Sequence, residues 1–106
     1  MGPMLRAINT IAKRLKPKFP KVAVDTMAYT YSQPPPKVSV PEPDVIIRLC
    51  DIKSNMGAPL SDPSNHRFAS IIEGWNKLTS RLYIWNCEFL TAHAVFCKLY
   101  LYASLE

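Results

Sequence analysis

KVAVDTMAY (residues 21–29), DVIIRLCDI (residues 44–52) and RLYIWN (residues 81–86) are three short apolar runs whose ends carry side chains suited to binding rather than to turning. Enrichment in Val, Ile and aromatic residues over such short windows marks strands. Parallel α/β sheets and barrels present their sites on strands that finish in residues such as Asp, Tyr, Trp or Asn. Between the second and third runs, Phe68, Ile71, Ile72, Trp75 and Leu78 recur on one helical face. That spacing predicts a helix over residues 65–79, with Asp62 or Ser64 available to cap its start. A strand, a helix and a further strand imply parallel pairing.

Upstream, Leu5, Ile8, Ile11, Ala12 and Leu15 predict an amphipathic helix over residues 4–16, ended by Pro17 and Pro20. Between the first two strands, TYSQPPPKVSVPEP (residues 30–43) is too rich in proline for a helix and is expected to be a stiff loop rather than a free polyproline ligand. The second strand is nearly all apolar, as a strand buried on both faces should be.

Length limits the architecture. A complete (β/α)8 barrel takes roughly 250 residues, and the chain has 106. The expected fold is therefore α/β, a fragment of a (β/α)8 TIM-like barrel with three parallel strands and flanking helices. Residues 1–86 would form the partial barrel segment and residues 87–106 a divergent apolar tail. In that tail Phe89, Ala92, Val95, Phe96 and Leu99 fall at helical spacing, which predicts a covering helix. An apolar fraction of 48% argues against disorder throughout, and ten prolines against three glycines point to extended connections.

The net charge of +5 is concentrated at one end: Arg6, Lys13, Arg14, Lys16, Lys18 and Lys21 all precede the first acidic residue, Asp25. No aromatic residues are interleaved with them for base stacking, so the segment reads as a solvated outer helix and not as a nucleic-acid site. Basic residues interrupt any apolar core a secretion signal would need, and the apolar stretch over residues 89–105 is broken by Thr91, His93 and Lys98, so no membrane span is expected. Cys50, Cys87 and Cys97 include no close pair, and Cys87, His93 and Cys97 match no standard zinc spacing. No metal and no cofactor is expected.

Strand parity gathers the chemistry. If Val22, Val24, Thr26 and Ala28 face the helices, the opposite face collects Asp25, Tyr29, Arg48, Cys50, Tyr83 and Trp85. An Asp, an Arg and several rings near strand ends suit a sugar cleft, because ring faces stack on carbohydrate C–H surfaces while charged groups hold hydroxyls. Asp25 and Arg48 neutralising each other is the plainer explanation of the same residues. Glycoside hydrolysis normally takes two carboxyl groups, for which Asp25 and Asp51 are the candidates, Asp51 expected to be the better exposed. Tyr29 and Tyr31 begin the proline loop and are placed as a wall of the cleft, with Arg48, Trp85 and Asn86 as further sugar contacts.

These motifs carry a resemblance. VDTMAYTY followed by PPP, then IIRLC, then APL before FASIIEGW, and finally LYIWN, is similar over residues 5–86 to the domain of unknown function 4838, grouped as glycoside hydrolase family 163. The resemblance implies a (β/α)8 barrel related to hexosaminidases, an endo-β-N-acetylglucosaminidase type of activity and a glycan ligand. By position, Asp25 with Tyr29, Arg48 with Cys50, and Trp85 with Asn86 would line the barrel mouth, while the family's catalytic acid falls on no residue of this chain. The chain departs from the family pattern at Lys53, where many members are acidic, and again after Asn86. Turnover by the chain alone is not expected, and a non-catalytic carbohydrate-binding or protein-interaction unit is the alternative.

Overall fold

The computed structural model describes the backbone of residues 1–91 and 94–102 and the side chains of residues 1–86. Helix α1 (Gly2–Leu15) stops at Lys16, just ahead of Pro17, and places Leu5 and Ala12 in the core with Ile8 beside them. Ile11, at the margin of the apolar stripe, is half exposed. Strand β1 (Val24–Ala28) follows, then a single 3-10 turn at Thr30–Ser32 that the proline content had not suggested. Strand β2 (Val45–Asp51), a second 3-10 turn (Pro63–Asn65), helix α2 (His66–Asn76) and strand β3 (Leu82–Thr91) complete the expected order.

The strands form one sheet in the order β1-β2-β3-β4, with β1–β2 and β2–β3 parallel, as the connectivity requires. Both helices cover the same face. Ala28 from β1, Val45, Ile47 and Leu49 from β2, and Leu82 from β3 meet Leu5 and Ala12 from α1 and Phe68, Ile71, Ile72 and Trp75 from α2. Burying a large aliphatic side chain completely contributes about 1.5–3 kcal/mol, so this single layer of contact holds the domain together. The other face of β2 is only half buried at Ile46 and Arg48, so β2 alternates instead of being enclosed on both sides.

The tail differs from the helix expected of it. β3 runs on through Thr91, and β4 (Ala94–Tyr102) returns antiparallel along it, from Leu82 opposite Tyr102 to Thr91 opposite Ala94, with an irregularity between Phe89 and Thr91. Val, Phe, Leu and Tyr dominate this segment and favour a pleated conformation. Without β4, β3 would present an unpaired row of N–H and C=O groups, and the hairpin satisfies them. Helical spacing of five apolar residues does not outweigh that demand.

The loop between β1 and β2 stands where a crossover helix would otherwise lie, between α1 and α2. Asn9 on α1 holds it at one end, its Nδ2 donating to Val40 O (2.8 Å) and its Oδ1 accepting from Glu42 N (3.0 Å). Lys13 and Lys16 pair with Glu42 and Asp44 beside it. At the other end Gln33 Nε2 donates to Cys50 O and Trp75 Nε1 donates to Gln33 O, each at 2.8 Å and buried. Pro35 lies against Gly74 so closely that a Cβ on Gly74 would come within 2.7 Å of Pro35 Cγ.

This contact makes a prediction. In an open helix interior Gly→Ala gains about 0.5–1 kcal/mol, but Gly74→Ala is expected to lower the thermal midpoint. Pro35→Ala removes the colliding ring atoms, so in that background the same substitution is expected to be neutral or stabilising. Thermal unfolding of the four proteins of this double-mutant cycle tests it, and simple additivity would refute the contact.

Candidate functional site

The parallel pairing carries Asp25, Met27, Arg48, Cys50, Tyr83 and Trp85 to the face that the helices leave open. Met27, Arg48 and Tyr83 share one row across the strands, and Cys50 and Trp85 share the next. Arg48 Nη2 donates to Asp25 Oδ2, and the Arg48 guanidinium carbon lies 5.1 Å from the centroid of the Trp85 ring. One cation thus joins a carboxylate and an aromatic face contributed by three strands. Both charged side chains keep about a third of their surface in solvent, 31% for Arg48 and 34% for Asp25. Screening holds such a pair to about 1 kcal/mol or less, so its persistence owes as much to the indole beneath the guanidinium as to the charges.

Asp51 and Asn86 occupy the opposite parity. They pair with each other, Asp51 at the carboxyl end of β2 and Asn86 in the middle of β3, and both have the parity of the helix side. Asp51 is 5% exposed, the reverse of the expectation that it would be the more accessible carboxylate. Its Oδ1 accepts from the backbone N–H groups of Lys53 and Ser54, at 3.3 and 3.2 Å, and starts the loop to α2. Asp25 and Asp51 therefore stand on different sides of the sheet. They do not face one bond between them, because Asp51 follows Ile46, the register partner of Asp25, at an odd offset along β2.

Beyond Asp51 the loop borders a cavity of about 220 Å³, lined by Asp51, Ser54 and Asn86 among polar residues and by Phe68, Ile72 and Ile84 among apolar ones. Buried Asn65 organises the loop: its Oδ1 accepts from Asn55 N at 2.7 Å, and its Nδ2 donates to the carbonyls of Asn55, Ala58 and Pro59. Asp62 caps the 3-10 turn Pro63–Asn65 and not α2 as expected, accepting from the backbone N–H and the hydroxyl of Ser64, whereas Asn65 at the start of α2 makes no side-chain cap bond. Those bonds, the hydroxyl one first, hold its carboxyl below the usual carboxylate range.

The remaining candidates are placed as follows. Tyr29 precedes the 3-10 turn after β1 and Tyr31 lies within it, 43% and 82% exposed, and neither borders the cavity. Thr30 between them adopts a left-handed φ of 49°, a conformation costly to a β-branched residue. His93 lies outside the described residues. Among the described residues no group of three or more His, Cys, Asp or Glu side chains could hold a metal ion, and no helix is long and apolar enough to cross a membrane. Gln33 and Asn65 were not foreseen. Their side chains act through backbone groups distant in sequence, and the only local sign was an amide in a turn-rich stretch.

A sheet with three parallel strands and helices on one face defines a mixed α/β domain. Within that class the chain belongs to the family described as Domain of unknown function (DUF4838), whose model matches residues 1–102. The match thus extends past Asn86 into β4. No curated protein and no solved structure matches the chain.

The Asp62 cap is open to titration. A carboxyl held low in the folded state contributes stability above its ordinary range that is lost as pH falls through the lowered value. Carbon-detected NMR is expected to find the Asp62 midpoint below those of unpaired carboxylates in the chain, and Ser64→Ala to raise it. An unchanged midpoint in that variant would remove the hydroxyl as the main cause.

Proposed function

We propose that the chain is a carbohydrate-binding α/β unit of the glycoside hydrolase kind, related to endo-β-N-acetylglucosaminidase-type domains. It holds a glycan on the open sheet face and does not cleave it unaided. The observation that carries this proposal is the Arg48 guanidinium stacked on Trp85 and paired with Asp25. An indole face takes up sugar C–H groups, and an ion pair left partly in solvent exchanges its water for hydroxyls. Trp85 and Tyr83 are only part-buried, so their rings are available.

Two further features support the same function. Helices restricted to one face suit the outer layer of a (β/α)8 barrel, whose strands turn their other face inward. The resemblance of the strand-end motifs to glycoside hydrolase family 163 supplies the substrate class. Binding is favoured over turnover by the separation of the candidate carboxylates. Hydrolysis takes two carboxyl groups on either side of one glycosidic bond, roughly 5–9.5 Å apart, and the sheet stands between Asp25 and Asp51.

Titration of the chain with oligosaccharides of β-linked N-acetylglucosamine, followed by tryptophan fluorescence, tests the proposal. Trp75 is fully buried, so a saturable change is expected to come from Trp85. Trp85→Ala is expected to weaken binding about tenfold or more, in line with about 1–3 kcal/mol for a lost stacking surface. Added salt should hardly alter it, in contrast to phosphate binding. Undiminished binding by Trp85→Ala, or none by the unaltered chain, would overturn the proposal. Cleavage abolished by Asp25→Ala would show instead that the chain is an enzyme.

A further inference from the structure

Strand β4 pairs on one side only, with β3, and forms an outer edge of the sheet. Its register sets Cys87 of β3 directly opposite Cys97 of β4, between the pairs Asn86 with Lys98 and Glu88 with Phe96. The irregularity of this ladder falls beyond them, between Phe89 and Thr91, so the pairing from Leu82 to Phe89 keeps one register. Residues opposed in this way lie on one face of the sheet. Cys87 follows Trp85 by two positions along β3 and so shares its face, the one that the helices leave open.

Disulfide geometry narrows what three cysteines can do. Opposed residues of an antiparallel pair stand about 4.5 or 5.5 Å apart between Cα atoms, according to their place in the hydrogen-bond pattern, and a disulfide spans roughly 4.4–6.8 Å. Their Cβ atoms, about 4.5–5.5 Å apart, lie at the wide end of the roughly 3.5–4.5 Å that the bond takes. A strand tied on one side only has the freedom to close that difference. The same alignment does not reach Cys50. Its register partner is Trp85, and Cys87 stands two residues further along β3. With neighbouring strands about 4.8 Å apart and a rise of about 3.3 Å per residue, that diagonal is about 8 Å, beyond the roughly 7 Å limit for bridging without backbone movement. Cys97 lies a further strand away from Cys50.

From this register we propose that Cys87 and Cys97 are an oxidisable pair that closes a cross-strand disulfide and fastens β4 to β3. The reaction takes a disulfide oxidant such as oxidised glutathione. One cysteine thiolate attacks it and releases a first glutathione thiol, and the second thiolate attacks the mixed disulfide and releases the other. Two protein S–H bonds are replaced by one S–S bond, while the two electrons and two protons pass to the two molecules of reduced glutathione. The consequence is a latched edge: β4 covers the N–H and C=O row of β3, and a covalent bond within the ladder keeps the hairpin from peeling away. The pair is independent of the sugar reading.

Nearness in sequence alone favours this pairing in an unfolded chain, and urea separates that effect from register. The intact chain is equilibrated near neutral pH with mixtures of reduced and oxidised glutathione, in buffer and in concentrated urea, then alkylated and read by intact mass and non-reducing peptide mapping. In buffer the bond is expected to map to Cys87 and Cys97, with Cys50 as the alkylated thiol. The equilibrium constant for closure is expected to be about tenfold or more higher in buffer than in urea, and by linkage the thermal midpoint of the closed form to rise by about 5 °C or more. The double variant Cys97→Ser with Lys98→Cys moves the thiol one place, to the other face, so closure in buffer is expected to lose that tenfold advantage. Cys50→Ser is expected to leave closure unchanged. A bond to Cys50, three alkylated thiols at the most oxidising ratio, closure as strong in urea as in buffer, or undiminished closure in the shifted variant would overturn the proposal.

Discussion

Gln33 is the residue on which the arrangement of the domain turns. Its side chain donates to the carbonyl of Cys50, one residue before the end of β2, while its own backbone carbonyl accepts the indole N–H of Trp75 on α2. A proline-rich segment has few backbone donors to give to a ladder and no helix of its own. One glutamine, buried at both ends of its bonding, fixes where that segment runs, how far α2 sits from the sheet, and where β2 ends. Pro35 against Gly74 then sets the closeness of approach, and Asn9 fastens the far end to α1. The loop performs the work of a crossover helix by side-chain hydrogen bonds instead of by an apolar stripe.

Because α1, this loop and α2 all lie on one side, the two faces of the same strands have unlike chemistry. The covered face is closed by apolar contact except beside Asp51 and Asn86, which border a small cavity. The open face carries Asp25, Arg48 and Trp85 in mutual contact. Successive residues of a strand alternate sides, so neighbours in sequence such as Trp85 and Asn86, or Cys50 and Asp51, serve different surfaces. A single stretch of strand thereby contributes to both faces of the sheet. β4 adds a feature that a closed barrel lacks, since it pairs antiparallel at the edge where a barrel would place its next parallel strand.

Much of this was legible in residue order. The alternation of Val24, Thr26 and Ala28 with Asp25 and Met27 assigned the faces of β1, and the recurrence of Phe68, Ile71, Ile72 and Trp75 located α2, because both patterns follow from the periods of strand and helix. A helix between two strands then left parallel pairing as the only short connection. The gathering of Asp25, Arg48, Tyr83 and Trp85 on one face followed from the same parity. Register, however, is a property of two strands at once. Asp51 looked accessible at a strand end and is buried, because the loop that Asn65 shapes folds back over it. The tail carried helical spacing and β-forming residues together, and the choice between them belonged to β3, whose open edge takes a strand and cannot be satisfied by a helix. Periodicity is local and can be counted along the chain, whereas the pairing of an edge and the covering of a carboxylate depend on residues that only the fold brings together.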